Sequence, residues 1–163
     1  MNKMTIKDVD LKDRIVLMRA DFNIPQDADL KITDDTRIKA TLPTIKYILQ
    51  SGVKKLILIS HLGRPDGKVI AKYSLKPVAL RLQELLNEPV LFLNNCIGDE
   101  VKKQITSAKE RIILLENLRF HAEEETNDAN FAKELTVGAD LFINAAFGPA
   151  HRAHAWTEGV TLY

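Results

Sequence analysis

The chain has one cysteine, Cys96, in 163 residues, so neither an internal disulfide nor a cysteine-built zinc site is open to it. No stretch approaches the roughly 18 consecutive apolar residues that a membrane-spanning helix needs. The opening residues Met1-Asn2-Lys3-Met4-Thr5-Ile6-Lys7-Asp8 are polar and lack the apolar core of an export signal. Net charge is also scarce. With 23 Lys and Arg against 22 Asp and Glu the balance is +1, too little for a chain whose main partner is a bulk polyanion. Aromatic residues make up only 6%, which leaves little for a stacking surface under nucleic-acid bases. Three phosphate or nucleophile signatures are missing: G-x-G-x-x-G after a first strand, G-x-x-x-x-G-K-[ST], and G-x-S-x-G. Together these absences lead us to expect a cytoplasmic protein with no nucleic-acid or membrane partner and no cofactor or metal site in this chain.

What is present is an ordinary globular composition, with 45% apolar and 28% charged residues. The length suits one domain with a core of its own. Residues 14–19, 56–60, 90–93, 112–116 and 141–144 are short, nearly continuous apolar runs, as expected of strands covered on both faces. Helical spacing appears between them. Ile38, Leu42, Ile45 and Leu49 line one face of 38–50, where Pro43 should bend the helix or mark its true start. A second helix should begin at a Ser74 cap with Pro77 in its first turn, and stop at Asn87. Val101 and Ile105 suggest a short third helix. A fourth should run from about Asp128 to Leu135, ahead of Gly138. The acidic run Glu123-Glu124-Glu125 reads as solvated. Strand and helix alternate, which predicts an α/β fold: a three-layer α/β/α sandwich around a mainly parallel, Rossmann-like open sheet spanning 1–163.

Ligands of such sheets bind beyond the carboxyl ends of the strands. There the chain places Arg19, Asp21 and Asn23, then Ser60-His61-Leu62-Gly63-Arg64-Pro65. Further on come Glu116-Asn117-Leu118-Arg119-Phe120-His121 and Asn144 through His154. All four histidines and the arginines Arg19, Arg64, Arg119 and Arg152 fall in these exits, with Arg37 just beyond the first. Converging arginines repel one another unless a compact anion joins them, and the guanidinium fork matches phosphate and carboxylate oxygens. A small anionic ligand is therefore the expected partner. His151-x-x-His154 has no third ligand at a persuasive spacing for a metal. Cys96 reads as a small buried hydrophobe.

Six of these stretches, in order, resemble those of phosphoglycerate kinases: Arg19-Ala20-Asp21-Phe22-Asn23-Ile24-Pro25, Lys31 to Ile38, Ser60 to Pro65, Tyr73 to Val78, Leu114 to Phe120, and Ala146 to His154. The resemblance implies the N-terminal, substrate-binding domain of a two-lobed glycolytic kinase, with the nucleotide-binding C-terminal domain absent from 1–163. It implies that Asp21 and Asn23 contact the glycerate backbone and hydroxyl, with Phe22 between them also substrate-binding. His61, Arg64, Arg119 and Arg152 would form the basic patch that grips the phosphate of 3-phosphoglycerate or 1,3-bisphosphoglycerate, with Leu62, Gly63 and His151 also substrate-binding. Arg37 would contact the carboxylate end and stabilise the phosphoryl group in transfer as the catalytic residue. Mg-ADP or Mg-ATP belongs, on this resemblance, to the second lobe, which is a further possible partner as a complementing chain. Turnover by the 163 residues alone is then expected to be negligible. One residue departs from the family pattern: Ala145 stands where an Asp is usual. Two other readings stay open, a free-standing non-catalytic anion-binding or regulatory paralogue, and a nucleic-acid or protein interaction module.

Overall fold

The computed structural model describes residues 6–126 and 128–145. It contains five strands, β1 (Ile15–Arg19), β2 (Lys55–Ile59), β3 (Val90–Leu93), β4 (Ile112–Leu115) and β5 (Leu141–Asn144). Between them lie four helices, α1 (Thr36–Gln50), α2 (Lys76–Leu86), α3 (Asp99–Ser107) and α4 (Ala129–Thr136). The strands form one parallel sheet in the order β3-β4-β2-β1-β5.

Successive strand residues point to opposite faces, and here both faces are apolar. Val16, Met18, Leu56, Leu58, Ile112 and Leu114 face the layer of α1 and α2, where Ile38, Ile45, Val78 and Leu82 are fully buried. Leu17, Ile57, Ile59, Ile113 and Leu115 face α3 and α4 through Val101, Phe131 and Leu135. This is why the strand sequences are continuous rather than alternating. The layering also follows from chirality. The chain moves one way across the sheet from β1 to β3, then back from β3 to β5. Crossovers of constant hand must change face when the direction reverses, and they do.

Two local expectations are corrected. The first helix starts at Thr36, so Pro43 is interior and marks no start. It sits on the exposed face beside exposed Lys39, whose carbonyl loses its helical partner where water can replace it. Asp34 secures the beginning of the helix by accepting from Thr36 N at 2.9 Å. The acidic run is not uniformly solvated either. Glu123 and Glu125 are exposed, but Glu124 is wholly buried. Its Oε2 lies 3.5 Å from Nε of Arg119.

The cap of α2 is Leu75 rather than Ser74, which stands one residue earlier, and the other signals correspond to observed features. Ser74 Oγ accepts from Lys76 N at 3.2 Å at the start of α2, and Asn87 ends that helix in the left-handed region with φ 51°. Asp128 caps α4 by accepting from Phe131 N at 2.9 Å. Lys55 is buried at the start of β2, where Nζ donates to Ala108 O at 2.8 Å and to Ile105 O at the end of α3. A cation there answers the negative pole of the helix, while burial pulls its pKa down.

Candidate functional site

The helices after β2 and β4 leave on opposite faces of the sheet, and these two strands are neighbours. A crevice forms at such a divergence, at the carboxyl edge of the sheet. The exits of β1, β2 and β4 meet there and are tied together by backbone bonds, such as Leu118 N donating to Ser60 O at 3.1 Å, and by side chains.

Asn117 makes the tie from β4. Its Nδ2 donates to Leu62 O at 2.7 Å and to Tyr73 O at 2.9 Å, while its Oδ1 accepts from Arg119 N at 3.0 Å. Ser60 makes another from β2: Oγ donates to Ala20 O at 2.8 Å and accepts from Phe22 N at 3.0 Å. Asn23 closes the third side, its Oδ1 accepting from Gly63 N at 2.9 Å. Glu116 accepts from Ser74 Oγ at 2.7 Å and Leu75 N at 2.8 Å, which anchors the segment before α2 to the end of β4. Parts of the Tyr73–Val78 and Leu114–Phe120 stretches therefore owe their pattern to one another.

Gly63 is required twice over. Its φ is +64°, and a Cβ would lie 2.2 Å from Tyr73 Cε1. The open space that a glycine leaves here is filled by the tyrosine ring. A cleft of about 230 Å³ opens alongside, lined among others by Asn23, Leu62, Gly63, Lys72 and Tyr73.

The charged groups divide by burial. Arg19 is completely buried at the end of β1, and its Nη2 donates to His61 Nδ1 at 2.5 Å. Arginine can only donate, so the ring proton of His61 sits on Nε2. Burial pulls the Arg19 guanidinium down to about 9; neighbouring Arg119 adds to this, while Glu124 and Asp21 oppose it. Arg119 is buried too, with Nε 3.5 Å from both Glu124 Oε2 and Glu125 Oε1, and Nη1 3.4 Å from Gly63 O. Arg37 is different. Its side chain is 54% exposed, lies 3.5 Å from Asp21, and donates to Asn23 O at 2.7 Å. Arg64 is exposed on the β2 exit.

The structure thus brings Arg19, His61 and Arg119 together, and links Arg37 to the same loops through Asp21 and Asn23. Phe22 and Leu62 belong to the core by their side chains, so what they offer the crevice is backbone. His151 and Arg152 lie outside the described residues. Ala145 is described: its N–H donates to Arg19 O at 2.8 Å, carrying the β1–β5 ladder one step past β5. His121 packs on Phe131 at 5.5 Å between ring centres and pairs with Asn95, and burial lowers its pKa. Cys96 is buried, and burial raises its thiol far above the reactive range.

Sequence reasoning missed Glu124 and gave Arg19 no role of its own. An arginine ending an apolar strand was the available signal for Arg19. Nothing in the run of three glutamates marks the middle one. Among the described residues no cluster of His, Cys, Asp or Glu is suited to a metal ion, and no helix is long and apolar enough to cross a membrane.

The family model described as phosphoglycerate kinase matches residues 6–163. The chain is 54% identical over 164 residues to a phosphoglycerate kinase of Chlorobium chlorochromatii, covering all of this chain and 41% of that protein. It is 53% identical over 177 residues to one of Aspergillus oryzae, covering 99% and 42% respectively. Two solved structures are similar. The phosphoglycerate kinase of Coxiella burnetii superposes with a TM-score of 0.83 at 37% identity, over 96% of this chain and 38% of that one. The enzyme from Pyrococcus horikoshii gives 0.85 at 32%, over 96% and 40%. The chain spans about 41% of the length of the curated relatives it matches.

Proposed function

This chain belongs to the phosphoglycerate kinase family, and from that premise we propose that its carboxyl-edge crevice binds 3-phosphoglycerate or 1,3-bisphosphoglycerate. It would serve as the substrate half of reversible phosphoryl transfer from 1,3-bisphosphoglycerate to ADP. The observation that carries the proposal is the meeting of His61 and Arg119 at the β2–β4 divergence, with Arg19 buried behind them, where a phosphate would meet donors already fixed in place. Phosphoryl transfer asks mainly for positioning and charge stabilisation, and preset guanidinium groups supply both.

In this reading Asp21 and Asn23 address the glycerate, and the backbone of Phe22, Leu62 and Gly63 shapes the wall. His61, Arg64, Arg119, His151 and Arg152 hold phosphate. Arg37 is the catalytic residue, since it is exposed enough to reach a ligand while Asp21 and Asn23 steady it. Mg-ADP or Mg-ATP would be carried by a second lobe, the partner the reading calls for. Holding one reactant without the other forfeits the proximity term, so the 163 residues alone would turn over negligibly. A cytoplasmic setting goes with the same reading.

Calorimetric titration with 3-phosphoglycerate tests it. The expected result is saturable 1:1 binding, weakened about tenfold or more by Arg37→Ala. No binding by the wild type, or a clear preference for a short oligonucleotide over 3-phosphoglycerate, would overturn the proposal.

A further inference from the structure

The run Glu123-Glu124-Glu125 presents three identical side chains in three environments. Glu123 is exposed, Glu125 is 47% exposed, and Glu124 has no exposure at all. A buried carboxylate is costly unless cations compensate it. The cations here are Arg119 and Arg19, both buried at the strand exits.

The geometry is directional. Arg119 turns its Nε edge toward Glu124 and Glu125, both at 3.5 Å, and its Nη1 end toward Gly63 O at 3.4 Å on the β2 exit. One side of the guanidinium is thus occupied by protein carboxylates and the other faces the loop that lines the cleft. Glu124 also supports the charge of Arg19, which lies against His61. Two buried guanidinium groups close enough to disfavour each other's charge would spread apart or lose a proton without a resident anion.

We propose, on the binding reading above, that Glu124 is a positioning residue that holds the guanidinium group of Arg119 in the orientation that receives the ligand phosphate, with Arg19 fixed behind it against His61. It touches no ligand and acts through the two arginines. The placement runs against simple electrostatics, because a carboxylate near an anion site lowers affinity through its field. Its contribution is preorganisation: the arginines need not be collected when ligand arrives. Among the described residues, the charged groups that act on Arg19 include Glu124 from the segment after β4, Asp21 from the β1 exit and Arg119, and its Nη2 donates to His61. Removing Glu124 leaves Asp21 as the acid among them, so the Arg19 proton should leave at lower pH.

The test compares wild type, Glu124→Gln, Glu124→Asp and, as control, Glu123→Gln. Two readouts are used: nitrogen-15 spectra of the arginine side chains without ligand, and calorimetry with 3-phosphoglycerate from pH 7.5 to 9.5. Glu124→Gln should speed Nε–H exchange at Arg19 and Arg119 and weaken binding about tenfold at pH 7.5. Its alkaline loss of binding should also begin earlier than in wild type. Glu124→Asp should be intermediate, and Glu123→Gln should match wild type. Unchanged arginine exchange in Glu124→Gln, or 3-phosphoglycerate affinity equal to or above wild type, overturns the proposal. Should Glu124→Gln not fold, Glu124→Asp decides by the same exchange rates: faster supports, equal overturns. A wild type that binds no 3-phosphoglycerate defeats the binding reading, and the ligand-free spectra then decide the role of Glu124 alone.

Discussion

Asn117 reaches from the end of β4 to the exit of β2, where its Nδ2 donates to Leu62 O at 2.7 Å. The same amide also satisfies Tyr73 O and Arg119 N, so one buried side chain holds three backbone groups of the crevice in register. Replacing it with alanine leaves all three without that partner. Asn117→Ala should lower unfolding free energy by about 3 kcal/mol in urea titration. Asn94→Ala, at an exposed position, should stay within about 0.5 kcal/mol of wild type. Equal effects of the two would show that the amide is not the tie.

Gly63 and Gly138 separate backbone strain from steric exclusion. Both have positive φ, +64° and +85°, but only Gly63 has an atom in the way of a Cβ. Gly138→Ala should cost the left-handed penalty, about 1–2 kcal/mol. Gly63→Ala should cost about 1–3 kcal/mol more, because the Tyr73 ring must move. Thermal unfolding of the two variants measures the difference, and similar costs would mean that the ring yields freely.

The arginines of the crevice should part company when stability and binding are measured together. Arg64 is exposed, so Arg64→Ala should leave stability within about 0.5 kcal/mol while weakening 3-phosphoglycerate binding about tenfold. Arg119→Ala should weaken binding too and in addition cost about 3 kcal/mol, because it strips a partner from the buried carboxylate of Glu124. If Arg64→Ala binds 3-phosphoglycerate as wild type does, Arg64 has no place in the site.

At the other edge of the sheet, Glu88 and Arg111 form a two-pronged pair, with Arg111 Nη2 donating to Glu88 Oε1 at 2.8 Å and Nε to Oε2. The guanidinium holds the Glu88 carboxyl below its ordinary 4.5. A lowered acid stabilises the fold above the unfolded pKa, and that contribution is lost as pH falls through the folded one. The pair is partly exposed and therefore screened. Glu88→Gln should be less stable by about 0.5–1 kcal/mol at pH 7, and the gap should close as the pH drops below 4.5. A gap that does not change with pH would assign the loss to packing instead.

The architecture was legible because it rests on local pattern. The five apolar runs coincide with the strands to within a residue, since a strand buried on both faces must be apolar at every position. Asn87 and Asp128 marked helix ends because capping is a property of neighbouring residues, and Ser74 fell one residue short of the α2 cap. Exit-loop motifs drew Asp21, Asn23, His61 and Arg119 to one edge, and the parallel topology is what puts strand ends on the same side. At Pro43 the sequence allows a bend or a helix start, and only the structure excludes the start, since an exposed helix face tolerates the hydrogen bond that proline cannot make.

The charges could not be resolved in this way. The chain itself determined that guanidinium and imidazole groups would gather at the carboxyl edge and that both sheet faces would be covered. Only the tertiary structure decided that Arg19 is sealed against His61, that Arg37 stays open to solvent, and that of three adjacent glutamates the middle one goes inside. Burial of a charge depends on which distant groups arrive around it. Glu124 acts on the charge of Arg19 from β1 across more than a hundred residues of chain, a distance that no local pattern spans.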